Sequence, residues 1–373
     1  MLTDLYDECL PIFLNCFTTY SKQRITMDTQ QIILDDDTSH RIYVMKFIFA
    51  IMVVFIHSEA LPDLPFRIEV PWYMDTCKDI VNNVICAIAV PGFFLLSGFL
   101  LFLKKFTWIG NMKKKVRSIL IPYLLINSFW IIFFKTMQSI EVTAPYFYGE
   151  NYQIIGLEGF INAYCGKMPL YYPFWFLKDL FILNIFASII RLFMDKHPVL
   201  LAIAIAAIFL NGVTFPFFVN QFSIYMFVIG GYIARYWNQI KKCQQIEIIR
   251  IGIVFCMFTI AKWHFEWNVS WINMLYLLIG ILFYDCLAGV VLRSRIKSMV
   301  LWCSQFTFFI YAFHEFYMSM MKKAVMMMIP QYGMIQLLEY FLLPFVILGF
   351  CIVGGVIMKK RVTFLYCLLC GKQ

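Results

Sequence analysis

Residues 41–58 read RIYVMKFIFAIMVVFIHS, an apolar run of membrane-crossing length that carries two ionisable residues, Lys46 and His57. On an α-helix these positions are three turns plus roughly 20° apart, with a rise of about 16 Å, so both lie on one face at different depths. A charge well inside a span costs about 2.5–3.5 kcal/mol on insertion scales and is tolerated where it meets a partner, a cavity or a pathway. The competing reading has Lys46 snorkelling to the headgroups and His57 at the opposite interface. Because intramembrane ionisable groups are functional by default, both residues are candidates for a site.

The rest of the composition agrees with a membrane setting. Of 373 residues, 62% are hydrophobic and 14% charged, against about 25% charged in soluble domains, and the mean hydropathy is +0.75. The fold class is therefore all-α, a polytopic membrane helix bundle with the lipid bilayer as its solvent. Residues 1–40 read as an N-terminal cytoplasmic tail, acidic at Asp35, Asp36 and Asp37, with Met27 a second candidate start. Leu10 to Phe17 is too short to span and lacks the basic lead of a secretory signal. Residues 41–361 form the transmembrane domain and 362–373 a C-terminal cytoplasmic tail.

Apolar runs place about ten transmembrane helices near 42–61, 80–103, 117–136, 173–193, 198–215, 217–237, 247–264, 271–292, 302–321 and 335–358. The fifth and sixth are separated only by Phe215-Pro216, and Pro216 breaks a continuous helix. With the N-terminus cytoplasmic, one side collects Lys104, Lys105, Lys113, Lys114, Lys115, Arg117, Arg191, Lys196, Arg235, Lys241, Lys242 and Arg250. It also receives Arg293, Arg295, Lys297, Lys359, Lys360, Arg361 and Lys372. The other side holds Arg67, Lys78, Lys135, Lys167, Lys262, Lys322 and Lys323. This bias puts both termini in the cytoplasm. It also explains the net charge of +9 as a topology signal, which excludes a nucleic-acid partner. The twelve cysteines are scattered without Cys/His clusters of metal spacing, so no metal is expected; only Cys77 and Cys165 fall in outer loops.

Topology then assigns depths. Lys46 lies in the inner half of span one and His57 near its outer end. Span two carries VPGFFLLSGFLLF, with Ser97 and Gly98 towards the cytoplasm. Span four opens YYPFWFLKDLFIL, putting Trp175, Lys178 and Asp179 in its outer half, and span nine, SQFTFFIYAFHEF, does the same for His314 and Glu315. Two histidines, two carboxylates and a lysine thus share one depth on three helices. Each has a plainer reading beside this one. Tyr171, Tyr172 and Trp175 suit an interfacial belt, Ser97 and Gly98 close helix packing, and His197 and His264 ordinary span ends. Lys178 and Asp179 point about 100° apart, so at least one faces inward.

KFIFAIMVVFIHS resembles the first helix of acyltransferase family 3 membrane proteins, and VPGFFLLSGFLLF their second-helix FFxxSGF signature. KKKVRSILIPYLL resembles the basic, then Ile-Pro-Tyr entry to their third helix, FWFLKDLFIL their WFL segment, and FFIYAFHE their late Ile-Tyr-x-x-His motif. The resemblance covers most of 41–358, in family order. It implies an integral enzyme of the cytoplasmic membrane that moves an acyl group, commonly acetyl from acetyl-CoA, to a hydroxyl of a cell-surface glycan or lipid-linked saccharide. His57 is then catalytic, with His314 its companion, and Lys46 stands where an arginine is usual, neutralising phosphate without the bidentate fork. The family's hydrolase-like appendage does not follow Met358, so transfer is expected to finish in the membrane domain.

Residue chemistry fits this expectation. A neutral histidine can take a proton from a sugar hydroxyl. Lys46, Lys113, Lys114, Lys115 and Arg117, with Ser97, suit the polyanionic acyl-CoA donor; Trp175, Lys178, Asp179 and Glu315 suit the acceptor. A transporter or flippase for a glycan precursor or small anion also needs buried polar groups, although no inverted repeat favours it. A non-catalytic scaffold explains the hydrophobicity but not the shared depth.

Overall fold

The computed structural model describes residues 34–58, 71–146, 156–166, 169–210, 219–240, 248–265, 270–329 and 333–371. The Phe215-Pro216 junction lies outside them. Among the described residues there are helices and turns and no strand.

The architecture is built around α1, Asp36–Ser58. Asp35 starts it by accepting from the Thr38 backbone N–H (2.8 Å), and the exposed Asp36 and Asp37 occupy the first turn. Carboxylates there also suit the helix dipole. Residues buried along α1, from Val44 and Met45 through Phe49, Ala50, Val53 and Val54, lie on all its sides, as expected of a helix enclosed by others. Those others are α2 (Trp72–Phe102), α9 (Ser270–Arg293), α10 (Lys297–Ser304), α11 (Thr307–Met328) and α12 (Gly333–Arg361). Between α2 and α9 the chain forms α3 (Trp108–Ser139), α4 (Gly156–Cys165), α5 (Trp175–Lys196), α6 (Pro198–Leu210), α7 (Gln221–Arg235) and α8 (Ile248–Phe265). A final helix, α13 (Thr363–Cys370), buries Tyr366 and Cys370 and packs on α3 and α12.

The described part of each of the ten apolar runs is helical, the ninth divided between two helices. The ninth is trimmed at its start, because a turn at Gln305 and Phe306 separates α10 from α11. Five helices among the described residues are long and apolar enough to cross a membrane: α1, α2, α3, and most of α9 and α12. Two further helices have 22 residues each, α5 and α11, but carry Lys178 and Asp179 or Glu315, Lys322 and Lys323. These five charged residues are mostly enclosed by protein, Asp179 to 1% exposure. Their charge lowers the helices' apolar character because the bundle interior, not lipid, receives it.

Two devices shape α2. Its middle loosens into a π-turn at Ile80–Ile85 and a 3₁₀ turn at Cys86–Ile88, just ahead of Pro91, which supplies no N–H for the carbonyl four residues earlier. Further along, Gly98 and Gly230 bring α2 and α7 into backbone contact: a Cβ on either would lie 2.0 Å from the Phe227 or Leu95 carbonyl oxygen. Only glycine allows that approach.

Candidate active site

His57 closes the last turn of α1 and meets α11. Its Nδ1 hydrogen-bonds Nε2 of His314, with the rings 4.7 Å apart and within 6° of parallel. His314 is fully buried, and its Nδ1 lies 3.1 Å from the Ile310 carbonyl oxygen and 2.9 Å from that of Tyr311. Carbonyls only accept, so His314 Nδ1 carries a hydrogen and its Nε2 a lone pair. That lone pair takes the hydrogen from His57 Nδ1. The network therefore assigns His57 the tautomer whose Nε2 is a free acceptor, with no protein partner among the described residues.

Glu315 sits beside this pair, its Oε2 3.8 Å from His57 Nδ1 and without a hydrogen bond. Tyr172 bonds the same carboxyl and lays its ring edge-on against His57 at 5.0 Å. The segment bearing Tyr172 is held from both sides. Asn127 accepts from the Tyr171 N–H (3.1 Å), Tyr171 stacks on Trp130, and Phe174 stacks on Tyr311 at 5.8 Å, whose hydroxyl donates to the Pro173 carbonyl. α11 contributes once more: Lys322 donates to the Ser58 carbonyl, next to His57, and its charge also acts on Glu315 and on Glu339 of α12.

Of the residues expected at this depth, the structure joins His57, His314 and Glu315 and separates Lys178 and Asp179 from them. Lys178 donates to the Gly166 carbonyl (2.8 Å). Asp179 accepts from the Asn220 N–H (2.9 Å) and the Ser223 hydroxyl (2.8 Å) through Oδ2, so it anchors the start of α7. Trp175 faces a different cavity, described below. Sequence reasoning missed Tyr172 as a neighbour of His57 and Lys322 as a buried cation; a lysine pair within an apolar run was the available signal.

At the other end of this helix face, near the midpoint of α1 and three turns from His57, Lys46 is half-buried and so is Lys115 of α3, and the charge of Lys115 bears on Lys46. Neither has a hydrogen bond or ion pair among the described residues. Lys113, Lys114 and Arg117 are exposed on the same turns. The hairpin carrying them is pinned to α5 by Trp108 Nε1 to the Ile185 carbonyl (2.9 Å), Asn111 to Asn184 (3.3 Å) and Arg191 to the Lys104 carbonyl (2.9 Å). Ser97 is half-buried, while its neighbour Gly98 serves the contact with α7.

His57, His314 and Glu315 are also, among the described residues, a group of metal-ligand types with donor atoms within 4.8 Å of one another. An ion there would compete with His57 for the His314 Nε2 lone pair. Cys77 and Cys165, expected in loops, lie on α2 and α4 as free thiols.

The acyltransferase domain family matches residues 39–358, which run from the first turn of α1 into α12 and include both ends just described. The chain belongs to this family, acyltransferase family 3. It is a multi-pass membrane protein. The succinoglycan biosynthesis protein ExoH of Rhizobium meliloti (strain 1021) is similar at 21% identity over 212 residues, 56% of this chain and 57% of that protein. The match thus spans a little over half of that relative's length. No solved structure matches.

Proposed function

We propose that this family member is an O-acyltransferase of the cytoplasmic membrane, with about ten crossings and both termini cytoplasmic. It moves an acyl group, acetyl in the first instance, from acyl-CoA to a hydroxyl of a cell-surface glycan or lipid-linked saccharide. The observation that carries the reading is the relay from the Ile310 and Tyr311 carbonyls through His314 to His57, which leaves His57 Nε2 as an oriented, unengaged base.

In the reaction, His57 Nε2 takes the acceptor's hydroxyl proton as that oxygen forms a bond to the thioester carbonyl carbon. The carbon–sulfur bond then breaks, and the thiolate leaves as free CoA with the proton returned from His57. His314 holds the imidazole by its other nitrogen, and the Glu315 carboxyl lies 3.8 Å from that same nitrogen. Lys46 and Lys115 supply positive charge with no ion-paired anion among the described residues, which suits the donor phosphates. The rise of about 16 Å between Lys46 and His57 separates the phosphates from the thioester. The relative named for succinoglycan biosynthesis supports a saccharide acceptor.

Purified protein in nanodiscs, given acetyl-CoA and the acceptor, is expected to release CoA and form an ester with no ion gradient. Activity confined to sealed, energised vesicles, as movement of an unmodified solute, would replace the enzyme by a transporter. Orientation has its own check. Gly110→Cys should resist, and Glu150→Cys accept, an impermeant thiol reagent applied outside, because Lys104, Lys105 and Lys113 to Lys115 mark the first region and Glu141, Glu150 and Glu158 the second.

A further inference from the structure

A cavity of about 250 Å³ opens beside α5, lined by Phe94 of α2, Trp175, Asn220 and Phe222 at the start of α7, Lys262 of α8 and Asn273 of α9. It is distinct from the histidine pair but adjacent to it: Tyr172 touches His57, and Trp175 follows one turn later on the same segment.

The polar chemistry of its wall is one-sided. Asn220 Oδ1 already accepts from the Phe222 N–H (3.0 Å), and Asn273 Oδ1 from Lys262 Nζ (3.0 Å). Those bonds assign the Nδ2 amide groups of Asn220 and Asn273 as donors, with no protein acceptor among the described residues. Lys262 keeps two further N–H groups and lies 4.6 Å over the Tyr276 ring. Asp79 acts on Lys262 from outside ion-pair distance, and no carboxylate lines the wall. Two amides and an ammonium thus share a wall with the Phe94, Trp175 and Phe222 rings and with aliphatic side chains. Asp179 fixes this arrangement, since its Oδ2 holds the Asn220 backbone.

We propose that this cavity binds an acidic sugar unit of the acceptor, the ring against Trp175 and the carboxylate against Lys262, Asn220 and Asn273; this rests on the saccharide-acceptor reading above. Aromatic faces suit the C–H side of a sugar, and a wall whose uncommitted N–H donors outnumber the one remaining lone pair on each amide oxygen suits an anionic substituent better than a neutral hydroxyl. The volume lies below the about 300–1,000 Å³ of drug-sized sites, matching a single unit rather than the whole donor.

The test is calorimetric binding to the full-length protein in nanodiscs, without acyl donor, of a glucuronate-terminated tetrasaccharide and a neutral glucose tetrasaccharide. The acidic probe is expected to bind at least tenfold more tightly. Lys262→Gln should erase that preference while Lys262→Arg retains it, and Trp175→Ala should weaken both probes. His57→Ala should leave binding unchanged, so acidic-probe binding in a protein with no transferase activity would sink the enzyme reading and not the site. Equal binding of the two probes, no binding of either, a preference that survives Lys262→Gln, or displacement of the acidic probe by equimolar glycerol phosphate, which would mark a lipid-headgroup site, overturns the proposal.

Discussion

The lysine–histidine face of α1 has two ends, about three turns apart, in opposite surroundings. At one end His57, in the last turn, is bonded to His314, with the Glu315 carboxyl and the Lys322 ammonium close by. At the other, near the midpoint of α1, Lys46 meets a second cation, Lys115, and no anion among the described residues. A ring held by a hydrogen bond at one nitrogen is preoriented for a proton transfer at the other. Two half-buried like charges repel, and a bound anion relieves that repulsion. One helix therefore presents a chemical end and a binding end, and the difference lies in what the neighbours leave unsatisfied.

The largest effect expected is on the chemical end. His57→Ala should cut kcat by about 10²–10⁴, the range for a general base, with monodisperse protein by size exclusion and little change in the apparent donor affinity. A rise in donor KM with kcat intact would erase the contrast between the ends. His314→Ala comes next. Loss of a hydrogen bond that supports a developing charge is worth about 1.5–3 kcal/mol, or roughly 10- to 150-fold, and it should fall on kcat. His314→Gln, which can still accept from His57 Nδ1, should recover part of it, whereas a merely structural role would leave the two variants alike in kcat and different in stability.

At the binding end, Lys46→Met should raise the acyl-CoA KM about tenfold, equivalent to about 1.4 kcal/mol, and leave kcat within a small factor. Lys46→Arg should keep most of the affinity because charge, more than fork geometry, is what the site supplies. Unchanged donor KM in Lys46→Met would return that residue to a snorkelling role. The smallest effect belongs to exposed Lys113, Lys114 and Arg117. Single neutral replacements there should cost about two- to fivefold, as for exposed charges generally, and the cost should shrink as salt is added.

Much of this contrast is legible in residues 41–58, because an apolar run with a lysine and a histidine on one face fixes both the helix and its two special depths. The apolar runs likewise mark the helices, since periodicity matters less than length when a bundle is enclosed on all sides. The pairing of His57 with His314 was narrowed by topology to a shared depth, but so were Lys178 and Asp179, which turn elsewhere. Depth orders residues along a helix and says nothing of the direction each faces. The role of Asp179 depends on Asn220 and Ser223, forty residues downstream, and the buried state of Lys322 on the carbonyl of Ser58; both are decided by packing between distant segments. Gly98 carries the same lesson. Its motif suggested a site or a tight contact equally, and only the position of the Phe227 carbonyl decides for the contact.

The measurement that bears most directly on the chemical end is kcat/KM for His57→Ala, His314→Ala and the double variant, each against the unmodified protein with the same acceptor. Groups that act as one unit lose their effect together. The relay predicts that the double variant is no worse than His57→Ala within about twofold, because His314 acts only through the ring it holds. Losses that multiply in the double variant would show two independent contributions and contradict the assignment of His57 as the base oriented by His314.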